Sequence, residues 1–246
     1  MEKREQLYEG KAKKVFATDE PERLIVSYKD DATAFNGLKR GTIAGKGIIN
    51  NKMSNLLMQM LEREGIPTHF VEELSDRETL VKRVKILPLE VIVRNIAAGS
   101  FAKHYGVPEG KVFPKPTIEL SYKNDELGDP LCNRYHAVAL GLCTEDEMET
   151  VQSYAFQINE RLKAFWLECG VTLVDFKIEF GRLPDGTIVL ADEISPDTCR
   201  LWDSKTGEKL DKDRFRRDLG GVEEAYAEIM RRLTQKMAEG EEAAYV

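Results

Sequence analysis

Acidic and basic side chains alternate along Val171-Thr-Leu-Val-Asp-Phe-Lys-Ile-Glu-Phe-Gly181. Successive side chains of a strand point to opposite faces, so Asp175, Lys177 and Glu179 share one face, and Val174, Phe176, Ile178 and Phe180 the other. A second run, Thr187-Ile-Val-Leu-Ala-Asp-Glu-Ile-Ser-Pro-Asp197, answers it across Arg182-Leu-Pro-Asp-Gly186. Pro presets φ and Gly accepts positive φ, so Pro-Asp-Gly between apolar runs predicts a hairpin. A two-residue turn at Asp185–Gly186 pairs Pro184 with Thr187 and sets Glu179 opposite Asp192. Carboxylates facing each other across a ladder repel, and a divalent metal with oxygen ligands would hold them together. A three-residue loop with Gly186 as a bulge instead sets Glu179 opposite Ala191. Rim charges on a solvated face are the bland reading. The concentration of charge at a strand centre between apolar neighbours favours a site, and the register that pairs the carboxylates is the one expected.

Other segments must bring partners to this hairpin. Leu7-Tyr-Glu-Gly-Lys-Ala-Lys-Lys-Val-Phe16 predicts a short strand, a bend at Gly10 and a second strand, with Leu24–Tyr28 pairing next. Backbone N–H groups at the bend, with Lys11 and Lys13, could lie over phosphates, although such turns are also common on surfaces. Asp30–Gly37 reads as a polar loop. Apolar residues from Ile49 to Leu61 recur at helical spacing until Gly65 and Pro67 end the run. Thr68–Val71 and Thr79–Leu87 read as strands, and Pro88 as a boundary. Glu90-Val-Ile-Val-Arg-Asn-Ile96 predicts a strand with Glu90 and Arg94 on one face. Gly99-Ser100 then opens a short helix whose free N–H groups suit an anion, with an ordinary cap and a rim ion pair as the alternative. Val107–Asn133 reads mostly as loop, with a strand near Thr117–Tyr122. Thr144-Glu-Asp-Glu147 is a capping box for a helix ending at Gly170. Cys199–Asp203 and two helices split at Gly220-Gly221 follow.

The whole chain limits the partners. Its 246 residues allow one large domain or two small ones. The formal net charge of -7 argues against a nucleic-acid or anionic-membrane binder, but not against a small phosphorylated ligand. No apolar run is long enough to span a bilayer, and the charged start Met1-Glu-Lys-Arg-Glu-Gln predicts no signal peptide. Cys132, Cys143, Cys169 and Cys199 are far apart with no C-x-x-C pair, which fits reduced thiols in the cytoplasm. There is no G-x-x-x-x-G-K-[ST] and no G-x-G-x-x-G, so neither a P-loop nor a dinucleotide site is indicated.

Taken together, Tyr8-Glu-Gly-Lys-Ala-Lys13, Gly45-Lys-Gly with Asn50-Asn51-Lys52, Val91-Ile-Val-Arg-Asn95 with Ala97-Ala-Gly-Ser100, Val174–Gly181, and Asp192-Glu-Ile-Ser-Pro-Asp197 with Arg200-Leu-Trp-Asp resemble the SAICAR synthetase family in its compact bacterial form. The likeness runs from about residue 5 to residue 235, in order and without a large gap. It implies an α+β fold, distantly like kinases and ATP-grasp enzymes. A small N-terminal antiparallel domain (1–87) would cover the nucleotide phosphates, a larger α+β domain (88–246) would carry the metal and ribotide sites, and ATP would lie in the cleft between.

The activity implied is a carbon–nitrogen ligase of de novo purine synthesis, joining L-aspartate to the carboxylate of carboxyaminoimidazole ribotide (CAIR) at the expense of ATP. The resemblance assigns Gly10, Lys11, Ala12 and Lys13 to the triphosphate and the backbone of Lys82 and Val84 to adenine. Glu179 and Asp192 would hold Mg²⁺, and Lys177 would neutralise charge on the transferred phosphoryl group. Arg94, Ser100 and Arg200 would take the ribotide 5′-phosphate. Glu90 and Asp175 would share a further metal that orients the CAIR carboxylate. The Asp30–Asn36 segment and Lys39 are candidates for the aspartate pocket by position alone. Cys199 stands where the family often has a small or hydroxyl residue, which puts a hydroxyl contact there in doubt. The partners implied are small molecules and a second copy in a homodimer, with no nucleic acid and no membrane. A small-molecule kinase is the first rival, but no His-Arg-Asp loop is visible. A non-catalytic nucleotide-binding module is the second.

Overall fold

The computed structural model describes residues 1–35 and 37–244. Strands β1 (Lys3–Glu9), β2 (Lys13–Thr18) and β3 (Arg23–Tyr28) make an antiparallel meander. The expected polar loop instead holds β4 (Asp31–Ala34), which pairs with β5 (Lys39–Thr42) just beyond it in a two-stranded ribbon. Helix α1 (Lys46–Arg63) follows. Then come β6 (Phe70–Ser75) and β7 (Glu78–Lys82), which close a five-stranded sheet in the order β1-β2-β3-β7-β6.

The single strand expected over Thr79–Leu87 is broken. After β7 the chain crosses to a second sheet as β8 (Lys85–Ile86), so Lys82 and Val84 flank the crossover. Strand β9 (Leu89–Ile96), α2 (Gly99–Tyr105), β10 (Val112–Tyr122), β11 (Leu131–Cys132) and α3 (Arg134–Ala139) come next. β10 starts earlier than expected, but its pairing with β9 is irregular between Val112 and Thr117. That stretch contains Pro114 and Pro116, which have no N–H for a ladder.

Helix α4 (Glu145–Glu168) begins in the expected capping box, with the Glu147 N–H donating to Thr144 Oγ1 and the Thr144 N–H donating to the Glu147 carboxylate. It leads into β12 (Val171–Arg182), then β13 (Ile188–Ala191), β14 (Cys199–Asp203), α5 (Asp213–Arg216) and α6 (Val222–Ala244). β12 is the centre of the second sheet, pairing with β9, β13, β14 and β8. Val174, Phe176, Ile178 and Phe180 are fully buried. Phe176, Ile178 and Phe180 share one apolar cluster with Val151, Ile158, Leu162 and Trp166 of α4, Met53, Leu57 and Leu61 of α1, and Ile229 and Leu233 of α6. The fold is α+β with antiparallel sheets, as the sequence led us to expect. Burying these apolar faces contributes on the order of 2 kcal/mol per large side chain. That pins the polar face of β12 in one orientation.

Candidate active site

Three strands line up one row of charge. β9 sets Arg94 opposite Asp175 on one side of β12. On the other side, an irregularity between Leu173 and Asp175 sets Arg200 of β14 opposite the same residue. A bulge re-aims side chains in this way. Asp175 therefore accepts from both arginines, from Arg94 Nη1 at 2.6 Å and from Arg200 Nη1 at 2.9 Å. Arg94 also donates to Glu119 at 2.7 Å and to Ser100 Oγ at 3.0 Å. Burial disfavours the Arg200 cation, but the Asp175 and Asp213 carboxylates outweigh it and raise its pKa further. Gly99 has a positive φ of 51°, and a Cβ there would overlap the Arg200 guanidinium. Arg94, Ser100, Asp175, Lys177, Arg200 and Arg216 line a cavity of about 170 Å³. Cys199 is buried at its edge, its thiol pushed up by burial.

The other end of the polar face holds Glu179 and Asp192, in a different register from the expected one. Glu179 pairs with Ala191, not Asp192. The cause is the turn. Leu183 N–H donates to Thr187 O and Gly186 N–H donates back to Leu183 O, each at 2.9 Å, with Gly186 at φ 90°. This three-residue loop places Pro184 where no backbone donor is needed. Asp192, at φ 61°, turns out of the strand just after Ala191. The carboxylates still feel each other. Burial and the Asp192 charge push the Glu179 carboxyl up, against the pull of Lys123 at 2.5 Å. Burial would also raise Asp192, but Lys13 holds it below the ordinary carboxylate range.

Lys13 joins the two sheets. From the start of β2 its Nζ reaches the Asp192 carboxylate and lies 3.0 Å from Glu193. Burial works against this ammonium, yet the two carboxylates raise its pKa well above the usual value. Lys177 pairs with Glu90 in the same way, its pKa raised by that carboxylate against desolvation. Among the described residues no group of three or more His, Cys, Asp or Glu side chains is gathered as a ready-made cation cage. Glu179 and Asp192 nonetheless fit Mg²⁺, which is commonly held by one or two carboxylates plus substrate phosphates. Their mutual repulsion, and the ammonium groups that now relieve it, are what such an ion would replace.

The remaining expected residues divide. At the bend, Gly10 N–H donates to Lys13 O at 2.8 Å, and Ala12 O accepts from Lys29 N–H at 2.7 Å. Lys11 is exposed, 4.0 Å from Asp125. Lys82 N–H is already committed to His69 O at 2.7 Å, and the Val84 side chain packs on Gly181. Glu90 and Asp175 are not gathered as a pair: one is held by Lys177, the other by two arginines. Asp30 pairs with Arg77, which with the Gly45 and Gly47 N–H groups it accepts from at the start of α1 lowers its pKa to about 2. Lys39 is bonded to Phe215 O at 2.6 Å and to Asp218, and Asn36 lies outside the described residues. Sequence reasoning missed Lys123, Glu119, Glu193 and Asp213. Glu193 could have been suspected beside Asp192, whereas the other three carry no local signal.

Known proteins resemble this chain over nearly its whole length. The family model for SAICAR synthetase matches residues 6–233. A phosphoribosylaminoimidazole-succinocarboxamide synthase from Lachnoclostridium phytofermentans is 64% identical over 233 residues, covering 95% of this chain and 99% of the relative. The crystal structure of the synthase of that name from Ehrlichia chaffeensis superposes with a TM-score of 0.92 at 47% identity, covering 94% of this chain and 98% of that one. A SAICAR synthetase solved in complex with ADP gives 0.91 at 49% identity, with the same coverage.

Proposed function

The chain belongs to the SAICAR synthetase family, and from that premise we propose how its two charged ends divide one reaction. It is an ATP-dependent ligase of purine biosynthesis that joins L-aspartate to the carboxylate of CAIR, giving SAICAR, ADP and phosphate. A carboxylate resists amines at neutral pH because its oxide leaves poorly. In the first step a CAIR carboxylate oxygen bonds to the γ-phosphorus as the bond to ADP breaks. In the second the aspartate amine bonds to the acyl carbon, phosphate leaves, and the amine gives up a proton.

The site assignments are our own reading, and the observation that carries them is the Lys13 bridge to Asp192 and Glu193. It sets the glycine bend of the amino-terminal hairpin beside the carboxylates of the second sheet. Gly10, Lys11, Ala12 and Lys13 hold the triphosphate, and the crossover at Lys82 and Val84 borders the base. Glu179 and Asp192 hold Mg²⁺, which when bound neutralises charge on the phosphates. Lys177, kept protonated beside Glu90, offers an ammonium to the phosphoryl group in flight. Arg94, Ser100 and Arg200 take the ribotide 5′-phosphate, and Asp175 holds the two arginines in register. The fixed groups bring the reactants together and lower the entropic part of the barrier. Residues 1–87 serve as the phosphate-covering part and 88–246 as the part bearing metal and ribotide. The family likeness supports a homodimer working in the cytoplasm. Among the described residues no helix is long and apolar enough to cross a membrane.

The test is an assay with MgATP, CAIR and L-aspartate. ADP release that needs both CAIR and aspartate, with SAICAR absorbance appearing alongside, is expected. ADP released onto an unrelated alcohol would identify a kinase, and ATP binding without turnover a non-catalytic module.

A further inference from the structure

We infer that Asp213 is a positioning residue for the phosphorylated substrate, fixing Arg200 so that one edge of its guanidinium is presented to the 5′-phosphate. This rests on the reading of Arg200 given above. Asp213 opens α5 and is buried, outside the strands that carry the expected site. Its Oδ2 accepts from Arg200 Nε at 2.9 Å and its Oδ1 from Arg216 Nη1 at 2.6 Å. Asp175 takes Arg200 Nη1 from the other side at 2.9 Å. A guanidinium is a planar fork of five donors. Nε and Nη1 are held by two carboxylates, and among the described residues no acceptor takes Nη2, which lies beside Gly99, where a Cβ would overlap it. Ser100, the next residue, already receives Arg94 Nη2 at 3.0 Å. The free edge of Arg200 thus faces the α2 start that Arg94 also addresses.

The brace is itself anchored. Asp211 is fully buried and accepts from Leu201 N–H at 2.8 Å and from Asp213 N–H at 2.7 Å. It ties the backbone next to Arg200 to the backbone of Asp213. A side chain as long as arginine loses considerable rotamer freedom when ordered. Holding it before substrate arrives removes that cost from binding. The role predicts an effect on ribotide affinity that is absent from nucleotide affinity.

The experiment measures KM for CAIR and for ATP in Asp213→Asn, Arg200→Ala and the double variant, with the other substrates saturating. Asp213→Asn is expected to raise KM for CAIR about 10-fold, the scale of one charge-assisted hydrogen bond. KM for ATP should change by less than about twofold, and in the Arg200→Ala background Asp213→Asn should add less than about twofold for CAIR. If Asp213→Asn does not fold, Asp213→Glu, which keeps the charge but displaces it by one methylene, is measured in its place with the same expectations. A full effect of the Asp213 variant without Arg200 would overturn the inference, as would equal rises in both KM values. So would an unchanged KM for CAIR in the Asp213 variant while Arg200→Ala raises it. Arg200→Ala leaving KM for CAIR unaltered would instead remove the reading of Arg200, and the inference with it.

Discussion

The two ends of the β12 face neutralise charge by different means. At the end we assign to the ribotide, Arg94, Asp175 and Arg200 sit side by side on adjacent strands, and Arg94 and Asp175 are each only 3% exposed. Every one of them has a second partner: Glu119, Asp213 or another arginine. At the end we assign to the nucleotide the partners are lysines from distant parts of the chain. Lys13 reaches across from the first sheet, and Lys123, 36% exposed in its side chain, reaches from beyond β10. An ammonium is a compact charge on a flexible stem, whereas a guanidinium is a preformed fork. The first end is assembled before substrate arrives. The second is held by contacts that, on our assignment, a nucleotide and its metal would replace. That difference suits a fixed acceptor at one end and an exchanging high-energy phosphate at the other.

The largest effect should come at the exchanging end. Asp192→Asn is expected to keep the fold, since Asn also tolerates the left-handed backbone at φ 61°. Turnover should fall on the order of 100-fold or more, as when one charge-stabilising group is removed from a transfer site. Steady-state kcat beside a circular dichroism spectrum checks both halves, and a wild-type rate would remove Asp192 from the metal site. At the preassembled end, Arg94→Ala should raise KM for CAIR roughly 10- to 100-fold and leave KM for ATP nearly alone. It should also cost stability, by about 3–5 kcal/mol, because Asp175 and Glu119 lose a buried partner. Denaturant unfolding measures that loss. If both KM values rose equally, the contrast between the ends would fail.

Much of this was legible in the chain because its signals are local. Period-two alternation along Asp175, Lys177 and Glu179 gave the polar face, and the Thr144–Glu147 box placed the start of α4. The hairpin register was not, because the two loops differ by a single residue. What decides it is that Pro184 cannot donate, so Leu183 closes the ladder to Thr187. The β4–β5 ribbon was hidden because Asp31-Ala-Thr-Ala34 carries no large side chain to mark a strand face. Asp213, Glu119 and Lys123 were out of reach for another reason. Their partners lie 13, 25 and 56 residues away, and only the fold brings such pairs together.

The preassembled end also has a cost that pH should expose. Burial and the Asp213 charge push the Asp211 carboxyl from 3.8 to about 7. The folded state then binds this proton more tightly than the unfolded chain does. Stability contributed here is present at low pH, falls as pH rises from about 4 to about 7, and is level above that. Asp211→Asn removes the titration. The wild-type stability minus that of the variant should therefore decline across this window, by at most about 1.4 kcal/mol per pH unit. Urea unfolding at several pH values gives the difference directly, and a flat line would mean that Asp211 is ionised throughout.

The smallest effect belongs to Lys11, and its size sharpens the comparison. Its side chain is 60% exposed and its nearest carboxylate, Asp125, stands 4.0 Å away and is itself open to water. An exposed charge in high dielectric is worth about 0.2–1 kcal/mol, so Lys11→Ala should raise KM for ATP by no more than about fivefold. That rise should shrink in high salt, because solvent screens an exposed ammonium. Lys13, buried against two carboxylates, has no such relief, and Lys13→Ala should retain its defect in the same salt titration. If the two variants respond alike to salt, Lys13 is as open to solvent as Lys11, and the hairpin does not seat against the second sheet as its bridge to Asp192 requires.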